Sequence, residues 1–117
     1  MAKISFVCTG AEGRNIWPTF ILASASAALG DEVTIFFMPG AGNLLEPDTL
    51  EEMEGRGMPP MVELLNGFKA LGGKMMLCAL TLEVWGVTVE DLRDDLEIVG
   101  ATTFLEKTRD ADRTFTF

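Results

Sequence analysis

Short apolar runs alternate along this chain with longer stretches of helical period. Ile4 to Thr9 is apolar and partly β-branched, and Gly10 and Gly13 follow it; this predicts a buried strand and a glycine-bearing loop. Asn15 to Leu29 predicts a helix with Asn15 as its N-cap, Pro18 in its first turn and Gly30 as its stop. Ile16, Trp17, Phe20, Ile21 and a run of Ala and Ser cover most of its circumference. A helix with so little charge is expected to be buried on more than one side, as at a subunit interface. Val33 to Phe37 is a second strand without polar alternation, the pattern of a parallel sheet covered on both faces.

Met38 to Asn43 reads as a loop, and the acidic stretch Glu46 to Gly57 as weakly helical. Met61, Leu64, Leu65, Phe68 and Leu71 repeat at helical spacing before Gly72-Gly73, which predicts a second long helix. Lys74 to Ala79 is a third strand with Cys78 near its close, and Thr81 to Val87 a turn or two of helix closed by Gly86. Thr88 and Asp91 have the spacing of a capping box, predicting a helix that turns Val89, Leu92 and Leu96 inward. Glu97 to Val99 is a short fourth strand. Thr103 with Glu106 repeats the cap signal for a helix to about Ala111, and Arg113 to Phe117 alternates as a fifth strand with Phe115 and Phe117 on one face. Strands alternating with helices, with no repeat or linker, predict an α/β layered fold in one domain, residues 1–117. In such folds ligands gather at the carboxyl ends of the strands, so the loops Gly10 to Asn15, Met38 to Leu45 and Cys78 to Gly86 are where chemistry is expected.

Composition removes several function classes. Histidine is absent, which excludes Ser-His-Asp hydrolysis, histidine zinc sites and imidazole proton shuttling; tyrosine is absent too, so no phenol can act. The net charge of −9 gives the wrong sign of field for nucleic acid and for an anionic membrane surface. No apolar run approaches the roughly 18 residues of a membrane span. Met1-Ala2-Lys3 leads directly into the first strand without the pattern of a signal peptide, so the protein is expected to be cytoplasmic and its two cysteines free.

Cys78 is the best nucleophile left. It stands where a strand gives way to a helical segment, whose free amides and dipole favour a thiolate, and Thr81 lies three residues on. The alternative is a buried structural thiol, since free cysteine is among the most buried residue types. Cys8, beside Phe6 and Val7, reads as a packed core thiol, and it can pair with Cys78 only if their strands are neighbours. The loop Thr9 to Asn15 matches no phosphate-binding pattern, and Glu12 puts negative charge in it; a tight strand-to-helix turn explains its glycines. The carboxylates from Glu46 to Glu54 and from Glu90 to Glu97 read as solvated surface rather than metal ligands. Met58 and Met61 are candidates for an adaptable contact surface, with core filling the alternative.

The stretch from Gly73 through Cys78 and Thr81 to Gly86-Val87 resembles the cysteine region of the DsrE/DsrF-like family. Ile35 to Gly40, Val89 to Leu92, Ile98 to Ala101, Phe104-Leu105 and the closing strand to Phe117 are similar to other parts of that family, so the resemblance spans nearly the whole chain. It implies a small three-layer α/β/α sandwich with a mostly parallel five-stranded sheet, assembled as a trimer or hexamer. It also implies relay of sulfane sulfur as a cysteine persulfide between donor and acceptor proteins, with no cofactor. The family's sulfur-carrying cysteine maps onto Cys78 and its supporting hydroxyl onto Thr81, with Gly10, Met38 and Gly40 lining the pocket from the other loops. Met38-Pro39 stands where many relatives carry a polar residue, and some members lack a working cysteine. A non-catalytic ligand-binding or assembly subunit of the same fold is therefore the alternative.

Overall fold

The computed structural model describes residues 1–117. In chain order the elements are β1 (Lys3–Cys8), α1 (Gly13–Ala28), β2 (Glu32–Phe37), a 3₁₀ helix (Pro39–Leu45) and α2 (Met61–Ala70). Then come β3 (Lys74–Cys78), α3 (Leu80–Trp85), a 3₁₀ turn (Val89–Asp91), β4 (Leu96–Val99), α4 (Ala101–Lys107) and β5 (Arg113–Thr116). The sheet runs β4-β3-β2-β1-β5, and every pairing is parallel. Right-handed crossovers stepping from β1 to β2 to β3 put α1 and α2 on one face, and the return from β4 to β5 puts α4 on the other.

Alternation along the strands divides the core accordingly. Phe6 and Cys8 of β1, Ile35 and Phe37 of β2, and Met75 and Leu77 of β3 join Phe20 of α1 and Phe68 of α2 in the larger cluster. Phe36, Met76, Cys78 and Val99 face the other way and pack with Phe104 of α4, which stacks on Phe36 at 4.2 Å between ring centres. The three layers expected from the resemblance are present, one of them only seven residues of helix long. β2 separates Cys8 from Cys78, the two thiols lie on opposite faces, and both are free.

Several local expectations are corrected. α1 begins at Gly13 with Glu12 as its cap, because Asn15, the third helical residue, turns its side-chain oxygen back to the Glu12 amide at 3.2 Å. Pro18 therefore sits inside the helix and not in its first turn. Met38 to Asn43 is not irregular: Pro39 starts a 3₁₀ helix there. Glu46 to Gly57 forms hydrogen-bonded turns without a helix. The Thr88–Asp91 capping box does form, Thr88 donating its amide to Asp91 Oδ2 at 2.8 Å, yet it closes only one 3₁₀ turn. The Arg93 amide is drawn to the Leu45 carbonyl at 3.0 Å, and Leu96 goes into β4. α4 starts at Ala101, not Thr103, and stops at Lys107; Thr108 turns its hydroxyl back to the Phe104 carbonyl at 2.8 Å. Met61, the first residue of α2, is wholly buried, leaving only Met58 of that pair at the surface.

Candidate functional site

β1, β2 and β3 end at one edge of the sheet, and the glycine loop, the Met38–Leu45 segment and α3 leave from there. The chemistry-bearing residues at this edge fall into two groups on opposite sides. On the α1 side an open cleft of about 460 Å³ is lined by Thr9, Gly10, Arg14, Asn15, Gly40, Asn43 and Trp85, among others. Close packing explains its glycines. A Cβ on Gly40 would run into the Thr9 carbonyl, and one on Gly10 would lie 2.6 Å from Asn15 Oδ1. The one cation in the cleft, Arg14, is paired with Glu12 at 2.8 Å.

Cys78 lies on the α4 side. Its position is the last of β3, paired in register with Val99 of β4. Met38, one residue past β2, continues the alternation that turns Phe36 to this face, and it packs half-buried against the Cys78 cluster. The thiol-bearing residue is 1% exposed, enclosed by apolar side chains. The Ala79 amide, next along the chain, is already donated to the Val99 carbonyl at 2.9 Å. Cys8 is sealed in the opposite core and donates its thiol to the Gly10 carbonyl at 3.3 Å. Burial pushes the Cys8 thiol up, against smaller opposing effects of hydrogen bonding with Thr19 and Gly10, so it stays protonated.

Thr81 stands between the groups in α3. It is fully buried, and its hydroxyl is without a hydrogen-bond partner, an arrangement that costs about 1–3 kcal/mol. Its methyl group packs so closely on Gly42 that a Cβ there would come within 2.6 Å of it and of the Trp85 indole. Trp85, half-exposed, spans to the 3₁₀ helix and donates its indole N–H to the Pro39 carbonyl at 2.6 Å. Of the residues marked from sequence, Gly10 and Gly40 thus share the cleft, Met38 and Cys78 share the opposite face, and Thr81 is buried in α3. Gly42 and Trp85 carry no site signal in the sequence. Their pairing spans more than forty residues and joins a glycine to an aromatic side chain, which no local pattern signals.

Comparison with known proteins agrees with this fold. The sequence profile of the DsrE/DsrF-like family matches residues 2–117. An uncharacterised protein of Methanocaldococcus jannaschii is 27% identical over 92 residues, covering 79% of this chain and 34% of its own; the chain spans about a third of that relative. Sulfur carrier protein DsrE2 of Allochromatium vinosum is 22% identical, with 94% of each chain covered. Among solved structures, the ychN protein of E. coli superposes with a TM-score of 0.77 at 22% identity, covering both chains in full. A protein of unknown function from Methanobacterium thermoautotrophicum does so with 0.72 at 16%, covering 98% of this chain and 99% of that one.

Proposed function

Because the chain belongs to the DsrE/DsrF-like family, we propose that it relays sulfane sulfur as a persulfide on Cys78 within a cytoplasmic homo-oligomer. The observation that carries the reading is the place of Cys78: a thiol at the carboxyl end of a central parallel strand, in a chain without histidine or tyrosine. A relative covering nearly the whole chain is named a sulfur carrier, which supports the same reading.

In the step proposed, the Cys78 thiolate attacks the outer sulfur of a donor persulfide. A bond from Cys78 Sγ to that sulfur forms, the donor's sulfur–sulfur bond breaks, and the donor leaves as a thiolate. An acceptor thiolate then takes the outer sulfur in the same way and Cys78 is released as a thiolate. Sulfane sulfur passes along without external oxidant or reductant. Thr81, with a hydroxyl that has no partner in the resting chain, is the group proposed to donate to the held sulfur. Met38 is proposed to line the approach to Cys78, while Gly10 and Gly40, expected beside it from the resemblance, line the cleft on the opposite side of the sheet.

Intact mass after incubation with a sulfane donor tests the reading. One added sulfur, about 32 Da, is expected on the wild-type chain and none on Cys78→Ser. A second reading, an architectural or ligand-binding subunit, draws on the burial of Cys78 among Phe36, Met76, Val99 and Phe104. It holds if Cys78 takes up no sulfur and resists alkylation in the folded protein.

A further inference from the structure

A sulfur carrier must let donor and acceptor reach its thiol, yet Cys78 is closed off in the resting fold. Phe36, Met76, Val99 and Phe104 around it are themselves buried. Two half-buried side chains, Val7 and Met38, pack against this cluster. Val7 belongs to β1, two strands away, whereas Met38 leaves the end of β2, the strand beside β3. Met38 follows Phe37, the partner of Leu77, so of the two it stands nearer Cys78, and its unbranched thioether chain can swing without a clash of branched carbons. The backbone carrying it is held at the next residue, where the Pro39 carbonyl accepts the Trp85 indole N–H at 2.6 Å. Trp85 ends α3, a six-residue helix that starts two residues after Cys78. Gly42 lets the indole and Thr81 close down on the 3₁₀ helix, and the closed arrangement leaves the Thr81 hydroxyl without a partner.

We propose that Met38 is a gate over Cys78 and that the Trp85–Pro39 hydrogen bond is its latch. Closed, the latch pins the Met38-Pro39 turn and shields the thiol. When α3 lifts from the 3₁₀ helix, Met38 is released, Thr81 gains access to a hydrogen-bonding partner, and Cys78 meets the incoming sulfur. The closed state thus carries its own opposing term in the unpaired Thr81 hydroxyl, which lowers the cost of opening while the open state stays the minor one. The importance of the gate rests on the sulfur-carrier reading, but its existence is measured independently of it.

The test is the rate of iodoacetamide alkylation at Cys78 in the natural chain under native conditions, with peptide mapping to separate it from Cys8. Trp85→Phe keeps the ring and removes the N–H. It is expected to speed alkylation roughly five- to tenfold, the population shift from losing one hydrogen bond. Met38→Ala is expected to speed it at least as much, and Leu29→Ala, a substitution at an exposed position just after α1, to leave it unchanged. Denaturant midpoints are read on the same samples. Rates within twofold of wild type for both Trp85→Phe and Met38→Ala overturn the gate. So do rate increases that merely follow the global unfolding constant. Persulfide uptake is scored separately: gated alkylation without uptake removes the carrier reading alone, and uptake with ungated alkylation removes the gate alone.

Discussion

Single missing Cβ atoms act in opposite directions in this chain. Gly40 sits against the Thr9 carbonyl, a backbone atom that cannot yield without moving β1, whereas Gly67 in α2 has open space where a Cβ would stand. Gly40→Ala is expected to destabilise the fold by about 2 kcal/mol through overpacking, and Gly67→Ala to stabilise it by about 0.5–1 kcal/mol through helix propensity. Urea midpoints of the two variants check both signs. Thr81→Val separates stability from chemistry. Removing an unpaired buried hydroxyl at nearly constant shape is expected to raise stability by roughly 1 kcal/mol. On the proposed function the same change shortens the life of the persulfide on Cys78, read by intact mass over time. A variant that melts higher and holds sulfur less well is the combined result expected. At this scale the sequence exposes residue types but not their distant neighbours: Gly40 and Gly42 look alike in it, and only the fold assigns one to a carbonyl and the other to an indole.

The stretch after α3 shows how an element is decided by what lies across from it. Thr88 and Asp91 carry a sound capping signal, and it is satisfied, but the helix it predicts stops after one turn. Arg93 is the reason. Its buried guanidinium is held by Glu51 at 2.7 and 3.0 Å and by Asp95 at 2.6 and 3.0 Å, clasping the acidic 46–60 segment to the β3–β4 connection. Hydrogen bonding from Arg93 holds the Glu51 carboxyl below its usual range. Burial pushes Asp95 upward, but hydrogen bonds from Arg93 and Lys69 outweigh it and hold that carboxyl low as well. Groups with depressed folded values add stability that is full above their unfolded pKa, near 4, and fades as pH falls through the folded values. Acid unfolding is therefore expected to begin at higher pH in Arg93→Met than in wild type. At neutral pH the variant is expected to lose about 3 kcal/mol, since Glu51 loses its partner and Asp95, partly buried, keeps only Lys69. Thermal melts across pH 3 to 7 on the two proteins measure this. The strands and the two long helices were legible from their apolar periods. The clasp was not, because a run of carboxylates reads as solvated surface until its single buried partner is located across the fold.

For the molecule as a whole, charge and apolar surface pull assembly in opposite directions. Each copy carries a net charge of −9, so bringing copies together is opposed by mutual repulsion. Against this stand the exposed apolar side chains Leu80, Val84, Trp85 and Val89, which follow one another through α3 and the turn after it. The charge-poor α1 suggested an interface in the sequence. In the fold its most apolar side is spent on the sheet and α2, while Ile21 and Leu22 remain exposed on its outer side. The apolar exposure of α3 gives no signal in the sequence because a six-residue helix is too short to show a period. On the proposed homo-oligomer, burial of the α3 residues supplies the attraction. It should strengthen as salt screens the repulsion, the Debye length falling from roughly 30 Å at 0.01 M to about 8 Å at 0.15 M. Sedimentation at micromolar concentration is expected to show the oligomer growing from low to physiological salt. Val84→Asp, which puts a further negative charge into the apolar cluster, is expected to shift the protein to monomer at both. A wild-type protein that sediments as a clean monomer throughout would remove assembly from the proposed function. Dissociation on raising salt would instead mean that ion pairs, not apolar burial, hold the copies together.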